Sequence, residues 1–159
     1  MTMKWIVTLA AFAMLHVLGV APLRAVRPDS HLTPGMAGAA TTSDVCQPGF
    51  ARRARNVSES EKRQVFAKYG VVPAPGERFE VDHLVPLELD GTNDIRNLWP
   101  QPFAGTWTAG QKDRLENTLH REVCRGQEPL GQAQNEIRQD WIGAYERRFG
   151  PGRGVADGG

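Results

Sequence analysis

Asp82 and His83 are adjacent in Phe79-Glu-Val-Asp-His-Leu-Val-Pro86, and Asn97 opens the later string Asn97-Leu-Trp-Pro-Gln101. These residue types suit phosphodiester hydrolysis. That reaction needs a water made nucleophilic by a base of near-neutral pKa, and a cation to neutralise charge on the phosphorane and the leaving oxygen. Imidazole meets the first need. A carboxylate and an amide carbonyl are hard oxygen donors that hold Mg²⁺ while leaving several waters on it, which meets the second. A lone Asp-His pair is more often a structural hydrogen bond, so the chemical reading depends on what surrounds it.

The elements around the pair can be read from local signals. Phe79, Val81 and Leu84 break up a charged run in a rough alternation that suits a strand, and Pro86 limits it. In a regular strand Asp82 and His83 point to opposite faces, so they share one site only if the strand ends or bulges there. Ser58-Glu-Ser-Glu61 has capping-box form, and Val65, Phe66 and Tyr69 follow before Gly70, which predicts a helix from about Ser58 to Tyr69. Thr108-Ala-Gly-Gln111 opens a second helix, striped by Leu115, Leu119 and Val123. A third runs from Leu130 through Ala133, Ile137, Trp141 and Tyr145, between Pro129 and Gly150. Helix, strand pair, helix, helix makes a small α+β domain.

Size and charge narrow the field. With 159 residues and 40% apolar content the chain can bury one core, and 19 basic against 18 acidic residues exclude a histone-like polycation. Any nucleic-acid surface is therefore local. Cys46 to Tyr69 carries Arg52, Arg53, Arg55, Lys62, Arg63 and Lys68 against Glu59 and Glu61, a local +4. Glu77 to Asp94 carries six acids against Arg78, a local −5. A basic patch beside an acidic pocket suits a grip on a polyanion next to a divalent cation, although solvated faces account for such runs more often. Arg52, Arg53, Arg55 and Lys62 are the expected phosphate contacts.

Lys4 precedes the apolar run Trp5 to Val20, and Ala21 and Ala25 follow it, as in a signal peptide ending near residue 25; an uncleaved anchor is the alternative. Residues 26–45, rich in Pro, Gly, Ala, Ser and Thr, have the composition of a disordered linker, and the Gly-rich 150–159 that of a disordered tail. The folded unit is then 46–149. Export to an oxidising space, with no other thiol in the chain, predicts a Cys46–Cys124 disulfide.

The string Val81 to Gln101 resembles the HNH, or His-Me finger, endonuclease family. Asp82-His83-Leu-Val-Pro86-Leu87 is similar to that family's first strand and exit, Asp90-Gly91-Thr-Asn93-Asp94 to its loop, and Asn97-Leu98-Trp99-Pro100-Gln101 to its second strand. Lys112-Asp113-Arg-Leu-Glu116 resembles the helix that follows in one branch, and the flanks look like small exported members. The resemblance implies a ββα-metal core in which His83 is the general base, Asp82 binds the metal, and Asn97 binds the metal or braces the loop. It also implies Mg²⁺ or Mn²⁺, other divalent ions being alternatives, and the phosphate backbone of DNA or RNA as partner, with Lys112 added to the phosphate contacts. No CxxC pairs flank the motif, so the disulfide takes the bracing place of the structural zinc found in many relatives. The family's third signature residue has no counterpart at its usual spacing, because Pro102 to Gly110 delays the helix; Asp113, Glu116 and His120 are the metal-ligand candidates there. Glu116 or Asp113 is expected to face the Asp82–His83 pocket, with His120 a neighbour. The expected protein is an exported endonuclease of little sequence specificity, not membrane-associated once the signal is removed. A silent binding module keeping this fold, and a secreted toxin nuclease with a partner inhibitor protein, are the alternatives.

Overall fold

The computed structural model describes residues 27–152, so the expected signal peptide at 1–25 and the tail from 153 onward lie outside the described residues. Two short helices, α1 (Thr42–Val45) and α2 (Phe50–Ala54), precede α3 (Glu59–Tyr69). A two-stranded antiparallel sheet follows, β1 (Phe79–His83) with β2 (Leu98–Pro102), and then α4 (Ala109–Cys124) and α5 (Leu130–Phe149). The class is α+β, as expected.

Local chemistry sets the helix ends. Ser58 caps α3 and Glu61 reaches back to the Ser58 amide at 2.7 Å, the reciprocal pair read from the sequence, and Gly70 ends the helix at φ 61°. Gln111 likewise accepts from the Thr108 amide at 2.8 Å at the start of α4. Within α5, Asp140 leaves helical geometry (φ −158°, ψ 74°) and its carboxylate accepts from the Gly143 amide at 3.1 Å, so a new helical start follows the break.

The core lies between the sheet, α4 and α5. Trp99, Leu115, Leu119, Val123, Ile137 and Trp141 are all buried in it, together with Leu84, Val85 and Leu89 from the β1–β2 connection. Leu115, Leu119 and Val123 form the stripe expected of α4. The Cys46–Cys124 disulfide is present, with Cα atoms 5.6 Å apart, and ties the end of α1 to the end of α4. Its 78-residue separation corresponds to roughly 4–5 kcal/mol of constraint on the unfolded chain in the loop-entropy account. On the far side, Arg148 binds Glu122, Glu128 and Glu136 at 3.0, 3.0 and 2.9 Å, which latches α5 to the end of α4.

The stretch expected to be a disordered linker is, from Arg27 on, part of the folded unit. Thr33 is fully buried and donates to the Leu98 carbonyl at 2.9 Å. The Gly35 amide donates to the Arg96 carbonyl at 3.1 Å, the Thr92 amide to the Met36 carbonyl at 3.0 Å, and Ala37 bridges Gly91. Main-chain pairing holds this segment, not a buried side-chain stripe, so the missing apolar period was no guide to it. Thr42–Val45 is helical, with Thr41 and Asp44 forming a capping box that composition alone did not suggest.

Candidate functional site

β1 stays in regular register as far as His83, with Asp82 opposite Trp99 and His83 opposite Leu98. The two chemically interesting side chains therefore project from opposite faces, and the strand ends at the second of them. The connection that follows is tight: Asp90 adopts φ 60°, and a Cβ on Gly91 would fall 1.7 Å from the Val85 carbonyl oxygen, so only glycine fits.

Asn97, fully buried, is what holds that connection. Its Oδ1 accepts from the amides of Met36 (3.1 Å) and Val85 (3.0 Å), and its Nδ2 donates to the carbonyls of Val85 and Thr92, both at 2.9 Å. Both lone pairs of the amide oxygen and both amide protons are thereby used. Of the two roles considered for Asn97, the geometry is that of the brace, and its oxygen has no free site for a metal.

His83 is 4% exposed, and its Nε2 lies 3.0 Å from Asn93 Oδ1. Asn93 in turn donates from Nδ2 to the Ala54 carbonyl at 2.8 Å. That carbonyl can only accept, so the amide nitrogen must face it and the amide oxygen must face His83. Nε2 then carries the proton, and the Nδ1 of a neutral His83 has the free lone pair. Burial holds the imidazole below its ordinary value near 6.5, against the opposing pull of the Asn93 bond and the Asp82 charge, which keeps His83 neutral at pH 7.

The opposite face of β1 is charged and mostly closed. Lys112, wholly buried, places its ammonium 2.7 Å from Asp82 Oδ2, against Glu116 Oε1, and donates to the His83 carbonyl at 2.7 Å. Trp99 Nε1 donates to the same Asp82 oxygen at 3.3 Å. Burial alone would lower the Lys112 pKa, but the two carboxylates outweigh it and hold the lysine charged. Burial pushes Glu116 up, against the pull of Lys112. Lys112 is therefore no phosphate contact: with no exposed surface it cannot meet a nucleic acid, and its charge serves two side chains of its own fold. Glu116 does face Asp82, as expected, but through this ammonium.

Beside that cluster lies a less satisfied group. Glu80 is pushed up to about 7, first by burial and then by the charges of Asp82 and Asp113. Asp113 is also raised, by burial and by Asp82. Gln101, cross-strand from Glu80, is buried with both amide atoms unpartnered among the described residues. These are hard oxygen donors with a local shortage of positive charge. Three of them do not converge as tightly as a closed cation cage, but Mg²⁺ that keeps its waters needs only one or two carboxylates. Asp82, Asp113 and Glu80 fit such an ion in chemical type.

The other residues singled out from the sequence are dispersed. His120 sits at the disulfide, with Nε2 3.0 Å from the Val45 carbonyl and 3.4 Å from Cys124 Sγ, away from Asp82. Cys46, His120 and Cys124 do bring their donor atoms within 4.8 Å of one another, but the two sulfurs are bonded together. Arg52, Arg53 and Arg55 do not act as a block. Arg53 donates to the Pro48 carbonyl at 2.9 Å and Arg52 lines a pocket with Glu88 and His120, while Arg55 and Lys62 line the cleft that contains His83. Asn93, Glu80 and Gln101 were not singled out by sequence reasoning. Asn93 acquires its place only through Ala54, 39 residues earlier, and no local signal announces that contact.

No family model, no curated protein and no solved structure matches the chain.

Proposed function

We propose that the chain is an exported endonuclease that hydrolyses phosphodiester bonds of DNA, and of RNA as the alternative substrate, with β1, β2 and α4 acting as a ββα-metal core. The observation that carries this reading is the Ala54–Asn93–His83 relay, which leaves the neutral imidazole with its Nδ1 lone pair free among the described residues, in a side chain that lines a cleft together with Arg55 and Lys62. His83 Nδ1 takes a proton from water, the resulting oxygen attacks phosphorus, and the bond from phosphorus to the leaving oxygen breaks with its electron pair passing to that oxygen, which takes a proton from solvent. Arg55 and Lys62 hold the flanking phosphates. Asp82, Asp113 and Glu80 would hold the divalent cation; Mg²⁺ or Mn²⁺, when bound, would supply charge neutralisation at the phosphorane. Lys112 fixes the orientation of Asp82 and keeps the His83 end of β1 in place through the carbonyl. Export rests on the N-terminal apolar run and is supported by the disulfide; among the described residues no helix is long and apolar enough to cross a membrane.

One feature favours a second reading, a silent binding module of the same fold. Asp82 Oδ2 is already engaged by Lys112 and Trp99, so the carboxylate expected to hold the metal is partly neutralised from within. Incubation with supercoiled plasmid and with a single-stranded oligonucleotide in Mg²⁺, Mn²⁺ or EDTA separates the two. Nicking that EDTA abolishes supports the endonuclease, and intact nucleic acid under every metal supports the binding module.

A further inference from the structure

The cleft that contains His83 is more than access to a base. It lies between α3 and β1, holds 390 Å³, and its apolar wall is built from Val57, Phe66, Phe79 and Val81. Phe66 and Phe79 meet edge to face, with centroids 6.2 Å apart and planes at 87°, and both rings keep part of their surface open. Arg55 and Lys62 flank this wall, against Glu80 as the one acid among the lining residues described. The Arg55 guanidinium makes no hydrogen bond among the described residues, and the Lys62 ammonium is held only by an exposed pair with Glu59 at 2.6 Å. Phosphate can therefore claim both cations at little cost.

The geometry points to an unpaired nucleobase as the occupant of this cleft, so that the protein selects single-stranded nucleic acid over continuous duplex. The inference deepens the endonuclease reading, on which it rests for the role of His83. A phosphate-only site needs cations and main-chain amides, and has no use for four apolar side chains lining the same space. A nucleobase offers a flat apolar face to the wall while its own phosphates reach the cations, a pairing of aromatic platform and positive rim that binds strands without reading their sequence. The volume lies in the range of small-ligand sites. In a duplex the base faces are covered by their neighbours, so a base enters only after leaving its stack, and a single strand avoids that cost. An aromatic peptide would also fill the wall, but it would leave Arg55 and Lys62 without a ligand.

The test uses the full disulfide-bonded chain and labelled oligodeoxynucleotides in EDTA, read by fluorescence anisotropy. Three probes of one length are compared: a single strand without self-complementarity, a hairpin duplex of the same base composition, and the single strand with abasic sites in place of its central bases. The single strand is expected to bind about tenfold tighter than either of the others. Phe66→Ala should weaken the single strand by about 5- to 100-fold and leave the duplex and abasic probes within about twofold, while Phe66→Tyr retains the preference. Equal binding of all three probes by the wild type overturns the inference without recourse to any variant. So does binding of an aromatic peptide but of no oligonucleotide. The parent reading fails differently. Single-strand preference with no cleavage under any metal removes the endonuclease and keeps the nucleobase site, whereas cleavage that needs His83 but treats strand and duplex alike removes the nucleobase site and keeps the endonuclease.

Discussion

The two faces of β1 treat their polar groups in opposite ways. On one, Asp82 meets Lys112 and Trp99, and the fully buried Lys112 ammonium satisfies the carboxylates of Asp82 and Glu116 and a carbonyl at once. On the other, His83 has one nitrogen fixed by Asn93 and the other without a partner among the described residues, in a side chain that lines a cleft. The Lys112 end of the first face contributes stability and orientation while its Glu80 and Asp113 end is short of positive charge, and the imidazole of the second face keeps a nitrogen that can take a proton. Two neighbouring residues of one strand thus acquire separate tasks simply by alternating.

That division is broken most directly at His83. His83→Gln keeps a donor toward Asn93 but offers no basic nitrogen, so cleavage is expected to fall by about 10²–10⁴-fold with the melting temperature nearly unchanged. Nicking at the wild-type rate would deny His83 the role of base.

Lys112→Met tests the other face and should behave in the opposite manner, by unfolding the protein. Removing a buried partner leaves two carboxylates without compensation, a loss of about 3–5 kcal/mol measured by urea titration near pH 8. The sign of its pH dependence follows. Carboxylates stranded in the fold take up protons more readily than in the unfolded chain, so the variant's deficit should shrink as pH is lowered toward 5. Lys112→Met combined with Glu116→Gln should recover part of the loss. An unchanged stability would mean that Lys112 is not the cation that holds this face together.

The Asn93 relay predicts a smaller effect. In Asn93→Ala the imidazole is no longer confined to the tautomer with Nδ1 free, and cleavage should drop about tenfold, the scale of one hydrogen bond. For the wild type, burial places the His83 transition below 6.5, so the rate should rise with pH there and be level by neutrality. In Asn93→Ala that rise should move to still lower pH, because the lost bond favours the protonated ring. A pH–rate profile with its rise above 7 would contradict the assignment.

Glu80 gives the smallest expected change and sharpens the boundary between the faces. Its folded pKa of about 7 lies above the ordinary 4.5, so the folded state holds this proton more firmly and loses relative stability as pH rises between those values. Glu80→Gln should therefore stabilise the protein at pH 8 by roughly 1 kcal/mol, after allowance for solvent screening, and have no effect near pH 4. If the acids of this side hold a cation, Mg²⁺ should raise the melting temperature of the wild type more than that of Glu80→Gln. Equal responses would remove Glu80 from the cation site.

Much of this molecule could be read from short range. The ends of α3 and α4 follow from Ser58 with Glu61 and Thr108 with Gln111, pairs that act within one helical turn, and the α4 stripe is a local periodicity. The disulfide followed from compartment and count, because two cysteines leave only one intramolecular pairing. Glu116, at the edge of the α4 stripe, does turn toward Asp82, as its azimuth suggested. What tertiary structure alone decided are contacts between distant residues. Lys112 shares the azimuth of the α4 stripe, three residues before Leu115 and seven before Leu119, and what tertiary structure alone supplies is the partner that lets a charge stay there, Asp82, thirty positions earlier. Asn97 could be ligand or brace until Met36, 61 residues away, took up its oxygen together with Val85. The Pro- and Gly-rich segment after residue 26 has no side-chain pattern to betray its order, since main-chain groups meeting Arg96, Asp90 and Thr92 hold it, and main-chain groups are alike in every sequence.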